Sequence, residues 1–90
     1  MRMHLNIKVS GRVQGVFFRH NSASKAIEFG ISGFVRNEPD ESVYLEVEGK
    51  KEDLDGFVAW CRNGPPFSKV EKVEVVEGPL QNFTEFIVKR

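Results

Sequence analysis

The chain has 90 residues, 40% hydrophobic and 29% charged, with 13 basic and 13 acidic side chains. That length supports one core, and eight Phe and one Trp give it the volume of a globular protein, which excludes a disordered chain. No apolar run approaches the ~20 residues of a membrane helix, no secretory signal is visible in Met1 to Lys8, and Cys61, the single cysteine, allows neither an intrachain disulfide nor a Cys-based metal site. A cytoplasmic monomer of one domain, residues 1–90, with no membrane partner is expected. Charge is uneven: residues 1–37 carry six cations against Glu28 alone, and residues 38–57 carry eight acids against Lys50 and Lys51. A basic first third suits an anionic ligand, and equally suits ordinary surface charge that happens to cluster.

Leu5 to Val9 alternates apolar and polar residues and reads as a strand. Gly11 to Gly15 is a loop. Arg19 to Phe29 suits a helix with Ala23, Ala26 and Ile27 on its inner face, ended by Gly30 in a left-handed turn. Ile31 to Arg36 is a second strand, and Asn37-Glu38-Pro39-Asp40 a turn. Val43, Leu45 and Val47 alternate with Tyr44, Glu46 and Glu48, a third strand with one wet face. Leu54, Phe57, Val58 and Cys61 form one stripe of an amphipathic helix, with acids at its start and Arg62 at its end. Val70, Val73 and Val75 mark a fourth strand, and Phe83 to Val88 a short fifth. The fold class is α+β: a ferredoxin-like β-α-β-β-α-β sandwich with an extra C-terminal strand and two helices on one face of a mainly antiparallel sheet.

The chemistry concentrates in Gly11-Arg12-Val13-Gln14-Gly15-Val16-Phe17-Phe18-Arg19, between the first strand and the first helix. Backbone N–H groups point out unpaired at such a junction, at the positive end of the helix dipole. Glycine lets the backbone approach a ligand closely, and the forked guanidinium of Arg19 matches the oxygens of phosphate or carboxylate. The segment suits an anion cradle. The same spacing suits a plain strand-to-helix turn with a solvated arginine. Asn37 closes the second segment, Gly33-Phe34-Val35-Arg36-Asn37, and reads either as a turn former or as an amide that donates to and accepts from a bound water.

These two segments together resemble the acylphosphatase family. So do Trp60, Gly64-Pro65-Pro66, Val70 with Val73, and the terminal Phe83, Phe86 and Val88, in family order over nearly the whole chain. The resemblance implies a ferredoxin-like fold and hydrolysis of the carboxyl–phosphate bond of small acyl phosphates, with inorganic phosphate as product. It implies that Arg19 and the backbone N–H groups of Gln14, Gly15, Val16, Phe17 and Phe18 hold the phosphate, and that Asn37 positions the attacking water. It implies no cofactor and no metal. Two positions depart from the family pattern. Phe34 stands where Trp is usual, and Asp40-Glu41-Ser42 stands where Asp-Gly is frequent, so a glycine-dependent turn must be built differently here.

The residues support that chemistry on their own terms. A phosphate monoester expels an alkoxide and needs a metal, an acid or a covalent nucleophile. The motifs offer no carboxylate pair and no His–Cys cluster. An acyl phosphate expels a carboxylate, whose acid has a pKa near ~4–5, so its hydrolysis asks mainly for positioning and charge stabilisation. The alternative is a non-enzymatic anion-sensing module with the same cradle. Nucleic acid is not expected, because the third strand is acidic with a single aromatic, Tyr44. His4 at a frayed strand start, His20 turned about 100° from Arg19, Cys61 as a core residue that is partly reachable, Phe17 as core first while also shaping the loop, and the acidic run from Glu38 to Asp55 as a solvated face plus a helix start are set aside.

Overall fold

The computed structural model describes all residues, Met1 to Arg90. Seven elements follow in order: β1 (Arg2–Arg12), α1 (Phe18–Phe29), β2 (Ser32–Asn37), β3 (Val43–Lys50), α2 (Lys51–Asn63), β4 (Lys69–Gly78) and β5 (Phe86–Val88). The sheet order is β4-β1-β3-β2-β5. The first three pairings are antiparallel, and β5 joins β2 in parallel. The ferredoxin-like sandwich with an added edge strand is present as expected, although β5 begins at Phe86 and not at Phe83.

Register explains the core. Leu5, Ile7 and Val9 face Val47, Leu45 and Val43 across the β1–β3 ladder, and all six are buried. Each contributes about 1.5–3 kcal/mol by leaving water, so a one-residue slip would expose the whole set. Leu54, Phe57 and Cys61 of α2 cover this face, joined by Phe18 and Ala26 of α1. The expected inner face of α1 is rotated. Ile27 is 75% exposed, and Phe18, Ser22 and Ala26 point inward. Phe18 sets that phase by packing on Trp60, ring centroids 5.3 Å apart, and the inward Ser22 hydroxyl donates to the Arg19 carbonyl at 2.9 Å. Cys61 is wholly buried, not partly reachable, and burial pushes its thiol up to about 12.

Gly33 places β2 close against β3. Its φ is +144°, and a Cβ there would overlap the Glu46 carbonyl. Only glycine fits that approach, and the strand it lies in ends at Asn37.

The sheet face away from the helices corrects two expectations. His4 is not frayed, and Glu48 does not belong to a solvated run: they are 2% and 0% exposed, with His4 Nδ1 2.7 Å from Glu48 Oε2. His4 Nε2 lies 3.0 Å from Glu46 and 3.1 Å from Asn6 Oδ1. Glu48 also accepts from the backbone N–H groups of Gln81 and Phe83, so it fastens the segment between β4 and β5 onto the sheet. Position alone could not show this, because the partners lie 33 and 35 residues away.

Burial alone would raise the Glu48 carboxyl. The donors from Gln81, His4 and Phe83 outweigh it and hold the group below its ordinary value of 4.5. A carboxyl lowered by folding stabilises the fold above its unfolded value, and that contribution disappears as pH falls through the folded value. Glu48→Gln should cost about 2 kcal/mol at pH 7, the scale of hydrogen bonds to a charged group. It should also flatten the loss of stability below pH 4.5. Urea unfolding of both proteins between pH 7 and pH 3 checks this, and equal slopes in the acid range would contradict it.

Candidate active site

The loop between β1 and α1 is anchored through alternate residues. Val13 and Val16 are buried, while Gly15 and Phe17 are exposed. Gly15 has φ +73° and Phe17 φ +63°, and the residues beside each have negative φ. Left-handed residues set between ordinary ones are the backbone pattern in which successive N–H groups can share one side and attract an anion. None of the N–H groups from Gln14 to Phe18 donates to a backbone carbonyl. Phe17 is the residue that caps α1, and it holds the left-handed conformation without a glycine's freedom. Its side chain is 74% exposed, so it is not core.

Arg19 follows on the first turn of α1, half-buried. Its Nη1 donates to the Lys89 carbonyl at 2.9 Å. The Lys89 N–H donates in turn to the Val35 carbonyl at 2.8 Å, continuing the line of β5 along β2. The Lys89 ammonium sits 4.0 Å over the Phe34 ring. The C-terminal segment therefore fixes the guanidinium through one of its five N–H donors and leaves the rest of the fork available.

Asn37 ends β2, opposite Val43 of β3. The turn that follows it is built without glycine. Glu41 takes the left-handed place with φ +74°. The Glu38 N–H donates to the Ser42 carbonyl at 2.9 Å and the Glu41 N–H to the Glu38 carbonyl at 3.1 Å. Asp40 accepts from the Ser42 N–H at 3.1 Å and pairs with Lys8 at 2.8 Å. The Lys8 ammonium and the Ser42 donors hold the Asp40 carboxyl well below the usual carboxylate range. This network replaces the Asp-Gly turn.

Gly15, Phe17, Phe18, Arg19 and Asn37 come together in the wall of one cleft of about 950 Å³. Gln14 and Val16 do not line it; their side chains act behind the loop, Val16 in the core and Gln14 against the β2–β3 turn. Two groups that the sequence left aside do line it. His20 shares the cleft although it sits one helical position beyond Arg19, and Arg90 reaches it with Val88 from the C-terminal segment. The titratable side chains of the wall are Arg19, His20 and Arg90, and no Asp or Glu side chain is among them. The contribution of Val88 and Arg90 has no local signal, since it depends on a long-range parallel pairing of three residues.

A basic, acid-free cleft at a strand-to-helix junction, with an asparagine and an arginine in one wall, suits a small anion. Comparison with known proteins decides which chemistry accompanies it. The family model described as acylphosphatase matches residues 5–88. The chain belongs to the acylphosphatase family. It is similar to an acylphosphatase of Methylococcus capsulatus, 47% identical over 87 residues, covering 96% of this chain and 95% of that one. It is similar also to an acylphosphatase of Archaeoglobus fulgidus, 43% identical with 93% and 94% covered. The crystal structure of an acylphosphatase from Bacillus subtilis superposes with a TM-score of 0.95 at 36% identity, covering 98% of this chain and 99% of that one. As an acylphosphatase, the protein is an enzyme, and its reaction is hydrolysis of small acyl phosphates with release of phosphate. The anion-sensing alternative gives way to that membership. No helix is long and apolar enough to cross a membrane.

Proposed function

We propose that the N–H groups of Gln14 to Phe18 and the guanidinium of Arg19 hold the phosphoryl group, and that Asn37 orients the water that attacks it. The observation that carries this reading is the cleft wall itself, which brings Gly15, Phe17, Phe18, Arg19 and Asn37 together from the two segments that also carry the family resemblance. The water oxygen bonds to phosphorus as the bond from phosphorus to the carboxylate oxygen breaks. The carboxylate leaves with the bonding pair and needs no proton, because the pKa of its acid, near ~4–5, lies well below neutral pH. Charge on the phosphoryl oxygens meets donors already in place, so no reorganisation is needed at the moment of reaction. With no carboxylate side chain in the wall, the proton of the attacking water passes to an oxygen of the transferred phosphoryl group. The reaction so described takes place without a cofactor or metal, in a cytoplasmic monomer.

The test is hydrolysis of benzoyl phosphate by the purified chain, with and without excess chelator, followed by titration with inorganic phosphate. Turnover should be unchanged by chelator and inhibited competitively by phosphate, which is both product and cradle ligand. A loss restored by an added divalent cation would contradict the metal-free reading.

A further inference from the structure

Gln14 belongs to the loop proposed to hold the phosphate through its backbone, yet its side chain points its amide elsewhere. Gln14 Nε2 donates to the Glu38 carbonyl at 2.9 Å and to the Ser42 carbonyl at 2.8 Å. These are the first and last residues of the turn that follows Asn37, and they are bonded to each other through the Glu38 N–H. Both protons of one amide are thus spent on the two ends of one turn, 24 and 28 residues away in sequence. A second side-chain link to this turn, from β1, is the Lys8–Asp40 pair, whose side chains are 42% and 54% exposed. Such a pair is screened by salt and contributes little rigidity. The Gln14 bonds are neutral, part-buried and directed, so they carry the connection.

We infer that the Gln14 side chain is a positioning residue for the hydrolysis: it ties the phosphate loop to the β2–β3 turn and thereby sets where Asn37 stands relative to the bound phosphoryl group. The inference rests on the roles proposed above for the loop and for Asn37. Its physical basis is that in-line attack tolerates little displacement, a shift of about 1 Å costing on the order of 100-fold in rate. The turn has particular need of such a tie, because its left-handed position is held by Glu41 and not by glycine. An unbraced turn with a non-glycine residue there relaxes toward other conformations. A second consequence is coupling: ordering the loop around phosphate also orders the residue that holds the water.

The test is Gln14→Met, which keeps the length of the side chain and removes both donors without adding charge, with Gln14→Ala as the second variant. Three quantities are read: kcat on benzoyl phosphate, the inhibition constant of inorganic phosphate, and kcat in an Asn37→Ala background. The expected result is a fall in kcat of about 10-fold or more, phosphate affinity within about twofold of the parent, and no further fall when Asn37 is already alanine, since residues acting through one another are not additive. Unchanged kcat in both Gln14 variants, beside an impaired Asn37→Ala, would overturn the tie alone. Equal loss of phosphate affinity and kcat would assign the Gln14 side chain to the phosphate loop and overturn it as well. Loss of the folded state in both variants would make Gln14 a stability residue and also overturn it. Full turnover by Asn37→Ala would remove the role of Asn37, and the inference with it.

Discussion

Arg19→Lys should lower turnover of an acyl phosphate by about 10²–10³-fold, the cost of removing one well-placed donor from a site that stabilises developing charge. Charge is conserved in this substitution, so the loss isolates geometry. The guanidinium already spends one N–H on the Lys89 carbonyl and keeps the others in one rigid plane. A lysine ammonium is a single point: it cannot hold the Lys89 carbonyl and at the same time present a planar fork to the phosphate. The fold should be nearly unaffected, because Arg19 is only half-buried and lies outside the apolar core. Steady-state kinetics with thermal unfolding of both proteins checks this. Near-parent turnover in the variant would show that charge alone suffices and would contradict the forked-ligand role.

Asn37→Ala should lower kcat by about 10²-fold, the scale of losing the orientation of one reactant, and leave the inhibition constant of inorganic phosphate within about twofold. Asn37 is the last residue of β2, and its backbone is held by β3 whatever its side chain. The loop proposed to hold the phosphate is shaped by residues of another segment, with Val13 and Val16 buried and Gly15 at φ +73°. A split between rate and affinity is therefore required. If phosphate binding weakened as much as kcat fell, Asn37 would be a phosphate ligand and not the holder of the water. Inhibition by phosphate measured beside kcat distinguishes the two.

Much of this was legible in the residues because the relevant patterns are short. Period-two alternation placed β1 and β3, the Leu54, Phe57, Cys61 stripe placed α2, and glycine at 15 with arginine at 19 placed the loop and the start of α1. The rest depends on contacts distant in sequence. The phase of α1 is set by Phe18 against Trp60, a contact 42 residues apart that an alanine-rich stripe cannot reveal. His4 and Glu48 look like surface residues until the segment at Gln81 and Phe83 folds over them. Phe17 has the composition of a core residue, but its left-handed backbone as the cap of α1 leaves its ring outside. Two walls of the cleft are legible in the two motifs. Its third wall, from Val88 and Arg90, and the hold of Lys89 on Arg19 come from the C-terminal segment lying parallel to β2, a pairing with no signature in local spacing.

The central claim is that a water held by Asn37 attacks phosphorus and not the acyl carbon. Hydrolysis of benzoyl phosphate in ¹⁸O-labelled water, with mass analysis of both products, tests it most directly. One labelled oxygen is expected in inorganic phosphate and none in benzoate, in the parent protein and in the residual turnover of Arg19→Lys. Label in the benzoate of the parent reaction would mean attack at the carbonyl, and would contradict the roles assigned to Arg19, Asn37 and the loop between them.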